Sequence, residues 1–374
     1  MREISTLEIT ALVNELNCIV GTHIDKFYEL RDGQFRLRLG RSGEKINLNC
    51  ILSHTFNKSI YAETPEEPTN FSMAVRARTE GLAVNSVVQL NFDRIIDIDA
   101  GGGEREVHLI FEMFGKGNFI LADPAMKILL AYRTHDYRDR SIRVGAVYEA
   151  PKSSQITIGY LTESKSIKDV LGGLLAASDK GQNAVSALAK TINLGGIYIE
   201  EAFNSAGLSI KSSVGELSEA DMEGIGGGLS RILAFVQKPS PTAFVESGKA
   251  VDYAICELKK YEGLEKKGFG SVSEVLDFFY NENKVEAASK KSEAAEQLRA
   301  SITKQEALIG QIGAEAEEAR ASGESIFNNL TMINEIISAA RRDNHITAEE
   351  MQRQFPEVRI LGVDLKEKSV VIEI

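Results

Sequence analysis

An α+β protein is what the sequence predicts, with a β-rich first part, a helical middle and a long helical arm. Three observations predict it. Between residues 23 and 133, short runs of alternating apolar and polar residues are parted by turn formers. Between about 165 and 237 the apolar spacing becomes helical, and small residues break it into short pieces. From residue 288, apolar and small residues recur at three- and four-residue steps for about five heptads. The 374 residues are 43% apolar and 26% charged, enough to bury the cores of two or three domains.

The first helix opens on Ser5-Thr6-Leu7-Glu8, the S-x-x-E spacing of a capping box. Ile9, Leu12, Val13 and Leu16 continue it at helical spacing, and Gly21 ends it. Strand-like runs follow at 23–30, 34–39, 45–50, 84–98, 106–114, 118–123 and 128–133. Their separators are Arg31-Asp32-Gly33, Arg41-Ser42-Gly43, Gly101-Gly102-Gly103 and Asp123-Pro124. They form a meandering antiparallel domain, interrupted by a short helix that starts after Pro68-Thr69-Asn70 and runs through Met73, Val75 and Arg76 to Gly81.

The helical middle holds segments at 167–177, 183–192, 198–206 and 227–236, with Leu194-Gly195-Gly196 and Ser205-Ala206-Gly207 in the loops. Glycine between paired short helices lets N-terminal amides face a phosphate, as a helix-hairpin-helix requires; it serves equally as an ordinary corner. Residues 250–282 read as a short α-plus-β piece ending in Phe278-Phe279-Tyr280. The arm's seam runs through Ala288, Lys291, Ala295, Leu298, Ile302, Gln305, Ile309, Ile312, Ala316 and Ala319, too small and polar to hold a long helix without a partner strand. Gly323 is expected to part it from a second helix carrying Ile326, Leu330, Ile333 and Ile337, with strands at 358–363 and 369–374 at the close. A chain ending in an apolar strand, with no returning arm, reads as a fragment of something longer.

The formal net charge of −11 argues against a surface coated in positive charge. Residues 1–150 carry 18 basic and 21 acidic residues (net −3) against 25 and 33 in 151–374 (net −8), so a polyanion site is expected in the first part. No stretch approaches the roughly 20 apolar residues of a membrane span, and the opening runs directly into a helix pattern. A cytoplasmic protein without membrane contact is expected. Cys18, Cys50 and Cys256 are scattered, and His23, His54, His108, His135 and His345 are isolated from one another, so neither a disulfide framework, a metal site nor a cofactor is expected. G-x-S-x-G, H-E-x-x-H and G-x-x-x-x-G-K-[ST] are all missing. Gly115-Lys116-Gly117-Asn118 reads as a tight hairpin turn, with phosphate contact by Lys116 as the sharper alternative. Asp93-Arg94 lies within the strand-like run 89–96, where adjacent charges point to opposite faces; by spacing alone it is a solvated face or a half-buried ion pair.

Five ordered blocks carry a resemblance: Ser5-Thr6-Leu7-Glu8-Ile9; Phe71-Ser72-Met73-Ala74-Val75-Arg76; Gln89 with Asp93-Arg94-Ile95; Phe111-Glu112-Met113-Phe114-Gly115-Lys116-Gly117-Asn118-Phe119-Ile120-Leu121; and Arg143-Val144-Gly145-Ala146-Val147-Tyr148-Glu149-Ala150-Pro151. Together they resemble the NFACT-N domain of the NFACT family, that of RqcH, NEMF and fibronectin-binding protein A, in its archaeal or bacterial type. The later helices, the arm and the strand at 358–363 are similar to the family's order of parts; its NFACT-R domain and second coiled-coil arm are missing.

The resemblance implies a β-rich NFACT-N domain at 1–165, a helix-hairpin-helix domain at 166–238, a return segment of NFACT-N at 239–283, a coiled-coil arm at 284–320 and a coiled-coil tip (middle) domain at 321–374. It implies ribosome-associated quality control: binding the obstructed large ribosomal subunit with its stalled peptidyl-tRNA, and recruiting tRNA, alanine tRNA in bacterial and archaeal members, for template-free tailing of the nascent chain. Peptidyl transfer is then the ribosome's, and the protein is a ribosome-associated binding factor, not an enzyme. The family's Asp-Arg motif falls on Asp93 and Arg94, its second triplet on Glu112-Met113-Phe114, and a first-helix position that is usually Asp on Glu8, one methylene longer. Lys116 and Arg143 are further phosphate-contact candidates. An arginine can fork onto phosphate or stack on a splayed base, and a carboxylate can orient it. The unpaired arm is expected to fray or to self-associate.

Two other functions compete. The first two domains also resemble the formamidopyrimidine-DNA glycosylase fold, but that chemistry needs an amino-terminal proline nucleophile and a zinc finger, and here position 2 is Arg2 and the cysteines cannot form the finger. A surface adhesin binding fibronectin conflicts with an opening that lacks a secretion signal.

Overall fold

The computed structural model describes residues 2–343, 345–364, 367 and 369–373, and the side chains of all of these but 104, 282–297 and 300. The chain forms two compact units, 1–286 and 287–374.

In the first unit, α1 (Thr6–Leu16) begins as its capping box requires: Ser5 Oγ accepts the Glu8 N–H (3.2 Å) and Glu8 Oε2 accepts the Ser5 N–H (2.7 Å). An antiparallel sheet follows, β1 (His23–Arg31), β2 (Gln34–Arg41), β3 (Glu44–Ile51) and β4 (Thr55–Ser59), in chain order. β4 was not visible as a separate strand in the sequence. Helix α2 (Asn70–Thr79), capped by Thr69, packs on β1. A second meander holds β5 (Val84–Gln89), β6 (Ile95–Ala100), β7 (Val107–Glu112), β8 (Asn118–Ala122) and β9 (Ile128–Ala131). Alternation puts Phe27, Phe35, Phe56, Phe111 and Phe119 inward. Phe27 meets Phe119 at 4.9 Å between centroids and Phe56 meets Phe111 at 4.7 Å, so these rings join the two sheets. A two-stranded ladder, β10 (His135–Asp136) with β11 (Ser141–Ile142), lies beyond β9.

The expected single strand over 84–98 is broken. A 3-10 turn at Leu90–Phe92, with Asn91 and Phe92 at φ of 53° and 49°, reverses the chain so that β6 pairs back on β5. Asp93-Arg94 therefore stands at a corner and not within a strand, where the reading of opposite faces no longer applies.

Short helices come next: α3 (Ile158–Glu163), α4 (Ile167–Ala176), α5 (Ala184–Thr191), α6 (Gly196–Ser205) and α7 (Glu219–Ala234). Helix α7, capped by Ser218, begins at Glu219, eight residues before the expected start, and α3 lies outside the predicted set. Helix α6 packs against α5 and α7. The chain then adds β12 (Thr242–Glu246), β13 (Lys249–Ala254) and β14 (Glu265–Gly268), in sheet order β13-β12-β14, and enters α8 (Val272–Asn328).

The second unit holds the rest of α8. The seam residues Leu298, Ile302, Ile309 and Ile312 are exposed, so this chain supplies no packed partner for them among the described residues. The side chains of Ala288, Lys291 and Ala295 lie outside the described residues. Gly323 does not end the helix, contrary to expectation; a single helical glycine costs only about 1 kcal/mol, and α8 continues to Asn328. Then come α9 (Leu330–Arg342), α10 (Ala348–Gln354), which has a Thr347–Glu350 capping box, and an antiparallel pair, β15 (Arg359–Asp364) with β16 (Ser369–Glu373). Ile336, Ile346, Met351, Phe355 and Val358 form their small core. Ile374, expected as the last strand residue, lies outside the described residues.

Candidate nucleic-acid interface

A buried polar network fixes the start of the chain. Glu8 is fully buried, and its Oε1 receives both Arg2 Nη2 (2.6 Å) and the Tyr198 hydroxyl (2.9 Å). Arg2 also pairs with Asp252 (Nε to Oδ1, 2.8 Å), donates to the Tyr253 carbonyl (2.9 Å) and lies 4.2 Å over the Tyr253 ring. Burial pulls the Arg2 guanidinium's pKa down, but Glu8, Tyr253 and Asp252 outweigh it and hold the pKa well above the ordinary arginine value. The Tyr198 hydroxyl accepts from the Ile255 N–H (3.1 Å), and burial drives its pKa far up, so it acts only as a neutral hydrogen-bonding group. The network ties α1 to α6 and β13.

Beside it opens a cleft of about 390 Å³, lined by Glu3, Arg94, Gln155, Asn193 and the Gly195–Ile197 segment among others. Arg94, with a side chain 28% exposed, pairs with Glu3 (Nη1 to Oε2, 2.6 Å). Asp93 is pinned by the Arg94 N–H (2.7 Å) and by Asn193 Nδ2 (3.2 Å), while Gln89 Nε2 donates to the Asp93 carbonyl (2.8 Å). Gly195, at φ 112°, must be glycine: a Cβ would lie 2.7 Å from Ser5 Cβ. It precedes α6 without any side-chain cap, so the first amides of α6 belong to the cleft wall. The Arg94 guanidinium and the uncapped N-terminus of α6 can hold a phosphate, and the side-chain amides of Gln155 and Asn193 can read the polar edge of a base.

The other sequence candidates are placed differently. Glu112 is buried and ion-paired with Arg140, and its Oε1 also accepts the Tyr148 hydroxyl (3.1 Å). Burial lowers the Arg140 pKa, the hydrogen bond and charge of Glu112 raise it, and the rise wins; Tyr148 is pushed far up, chiefly by burial. Met113 is fully buried, and its N–H donates to the Arg94 carbonyl at 2.7 Å. Glu8, Glu112 and Met113 thus offer no side-chain surface, which corrects the expectation that they touch RNA directly: they hold the frame on which Asp93-Arg94 stands. Phe114 is half-buried, 5.9 Å from the Arg140 guanidinium. Lys116 is exposed at the β7–β8 hairpin between Gly115 and Gly117, and Arg143 is exposed and paired with Asp136; neither lines the cleft.

Sequence reasoning missed Arg2, Glu3, Arg140 and Asn193 as members of the site. Arg140 stands 28 residues from Glu112 and Asn193 stands 100 from Asp93, so no local spacing could reveal them. Also unforeseen, Asp99, Glu106 and His108 bring possible metal-ligand atoms within 4.8 Å of one another, although His108 Nδ1 already lies 2.9 Å from Asp97.

A family model for NFACT N-terminal and middle domains matches residues 5–356. The archaeal Rqc2 homolog aRqcH of Methanocaldococcus jannaschii is 22% identical over 353 residues, covering 91% of this chain and 52% of that protein. The human ribosome quality control complex subunit NEMF is 28% identical over 232 residues, 59% of this chain and 20% of its own length. The chain therefore spans about half, or less, of these relatives. Among solved structures, the fibrinogen binding protein from Staphylococcus aureus superposes with a TM-score of 0.61 at 18% identity, covering 74% of this chain and 98% of that one, which is a likeness of fold.

Proposed function

The chain belongs to the NFACT family, and on that premise we propose that it is a ribosome quality control factor that works by positioning tRNA. Relatives named as ribosome quality control complex subunits support its ribosomal part. The observation that carries it is the cleft, which Arg94 lines together with Asn193 and the uncapped N-terminus of α6, while Asp93 holds Asn193 from beside it. In this reading a tRNA phosphate displaces Glu3 from Arg94 and takes the α6 amides, while Asp93 and Asn193 meet a splayed base. The Leu194-Gly195-Gly196 corner then works as the phosphate-facing turn of a helix-hairpin-helix.

The second unit and the exposed seam of α8 are the reach element toward the large ribosomal subunit and its stalled peptidyl-tRNA. Bond formation in the tailed nascent chain, with alanine as the added residue, is left to the ribosome. The factor acts in the cytoplasm by binding and orientation alone.

Binding of labelled total tRNA to the purified chain, wild type against Asp93→Ala/Arg94→Ala, tests the reading. Loss of charge-assisted hydrogen bonds of about 1.5–3 kcal/mol should weaken binding by tenfold or more with little change in thermal stability. Unchanged affinity in a folded double variant refutes it.

A further inference from the structure

The outer face of the first sheet has no part in the cleft, yet it is built of polar and cationic side chains. Pairing register sets Tyr28, Arg36 and Asn49 in one cross-strand row and Lys26, Arg38 and Asn47 in the next. Three guanidiniums surround the Tyr28 ring: Arg36 at 4.1 Å, Arg76 of α2 at 4.8 Å and Arg38 at 5.8 Å. Arg36 is 2% exposed, and its Nε and Nη1 find no hydrogen-bond partner among the described residues; nor do the side-chain carbonyl oxygens of Asn47 and Asn49. A buried guanidinium with open donors is costly, and folded chains keep few such groups.

Against Arg36 runs the segment 60–68, Ile60 to Pro68, which carries Glu63, Glu66 and Glu67 and no basic residue. Its hold is slight. Thr64 Oγ1 accepts from Arg36 Nη2 (3.0 Å), the Tyr61 carbonyl accepts from Asn49 Nδ2 (3.0 Å), and Glu63 pairs with the exposed Arg31 (2.8 Å). Ile60 is 87% exposed, and most of the segment lies open to solvent without regular structure.

We propose that this face is a second seat for an RNA backbone, separate from the cleft, and that the acidic segment 60–68 is its displaceable cover. The segment imitates the polyanion in charge but leaves Arg36 Nε and Nη1 unpaired. A phosphodiester chain brings acceptor oxygens at every residue, and planar guanidinium forks on one strand and on α2 suit them better than a lysine patch would. The aromatic ring among the arginines and the asparagine amides match the sheet-face chemistry by which single-stranded RNA is held. An acidic peptide is the competing occupant. It is disfavoured because the chain's own acidic peptide already lies there without satisfying the site. The proposal does not rest on the tRNA reading of the cleft.

The test measures anisotropy of a labelled oligouridylate with the intact chain carrying Asp93→Ala/Arg94→Ala, so that the cleft is silent. In that background, Glu63→Gln/Glu66→Gln/Glu67→Gln should tighten binding by about tenfold, as three repelling charges leave the face. Adding Arg38→Gln should reverse much of the gain and lower the salt slope of log K by about 0.7, one single-strand phosphate contact. Arg38 pairs with Asp25 (Nε to Oδ2, 2.6 Å) and is chosen because its side chain is 22% exposed; the same comparison in an Asp25→Asn background removes the carboxylate that its change frees. Amide exchange across 60–68 should rise when RNA binds. Equal affinity of the neutralised-cover variant and its parent, or an Arg38→Gln change without effect on affinity and slope, overturns the proposal. So does polyglutamate that displaces the RNA at matched charge, which would give the face to an acidic protein.

Discussion

Replacing Glu112 by Gln removes one charge from a pair whose side chains are 2% and 4% exposed, leaving the Arg140 cation inside the protein without its counter-charge. Breaking a buried pair from one side costs about 3–5 kcal/mol. Arg140 keeps the Glu149 carbonyl (3.1 Å) and the Tyr137 ring (4.7 Å), and glutamine can still accept from Tyr148, so the lower end, about 3 kcal/mol, applies. For a unit of this size each kcal/mol moves Tm by about 2 °C, so scanning calorimetry should find Glu112→Gln melting about 6 °C early. Arg140→Met should cost as much, and the double variant less than the sum by at least about 1 kcal/mol, because removing both charges leaves nothing unpaired. Arg94→Ala, which removes only a partly exposed pair with Glu3, should shift Tm by no more than about 2 °C. A Glu112→Gln shift as small as that of Arg94→Ala, or strict additivity in the double variant, would refute the argument that Glu112 supports the corner from within.

Three further outcomes follow from the same geometry. Gly195→Ala forces a Cβ to 2.7 Å from Ser5 Cβ at φ 112°, so it should lower Tm and tRNA affinity together, by at least about 1 kcal/mol in stability; a variant as stable as wild type contradicts this. Burial raises the Asp97 carboxyl above its ordinary 3.8, with His108 pulling the other way. Such a group stabilises the fold fully below its unfolded pKa and loses that contribution as pH rises through its native value, so Asp97→Asn should flatten the decline of Tm as pH climbs from about 4; a slope like wild type's sinks the assignment. Tyr198→Phe leaves the buried Ile255 N–H without its acceptor and removes one of the donors to Glu8, and should cost about 1–3 kcal/mol by urea unfolding, with a loss below about 0.5 kcal/mol as the contrary result.

Much of the fold could be read from local chemistry. Ser5 and Glu8 announced their capping box, the Gly33 and Gly43 turns announced the first meander, and Lys116 between two glycines announced a hairpin. The reading failed where tertiary contacts overrode local pattern. The run through 84–98 looked continuous because Asn91, a type that accepts positive φ, stands alone among strand-forming neighbours and Phe92 gives no such signal, and Gly323 looked like a stop because propensity alone cannot foresee a helix that tolerates it. Of the cleft's lining the sequence singled out Arg94 but none of the residues that meet it there. Arg94 lines the cleft and Asp93 bonds its Asn193, whereas Glu8, Glu112 and Met113 share their polar or motif character and are buried, a distinction made by Arg2, Arg140 and Tyr198, which arrive from distant segments.

The most direct measurement is of the RNA that travels with the protein in its own cells. The full-length protein is purified under conditions that keep ribosomes intact, and the co-purified RNA is sequenced in parallel with that of its Asp93→Ala/Arg94→Ala form. The account predicts large-subunit rRNA with both proteins, and enrichment of one tRNA species with the wild type that disappears with the variant. Absence of both rRNA and tRNA, or a tRNA signal that the variant keeps in full, would contradict it.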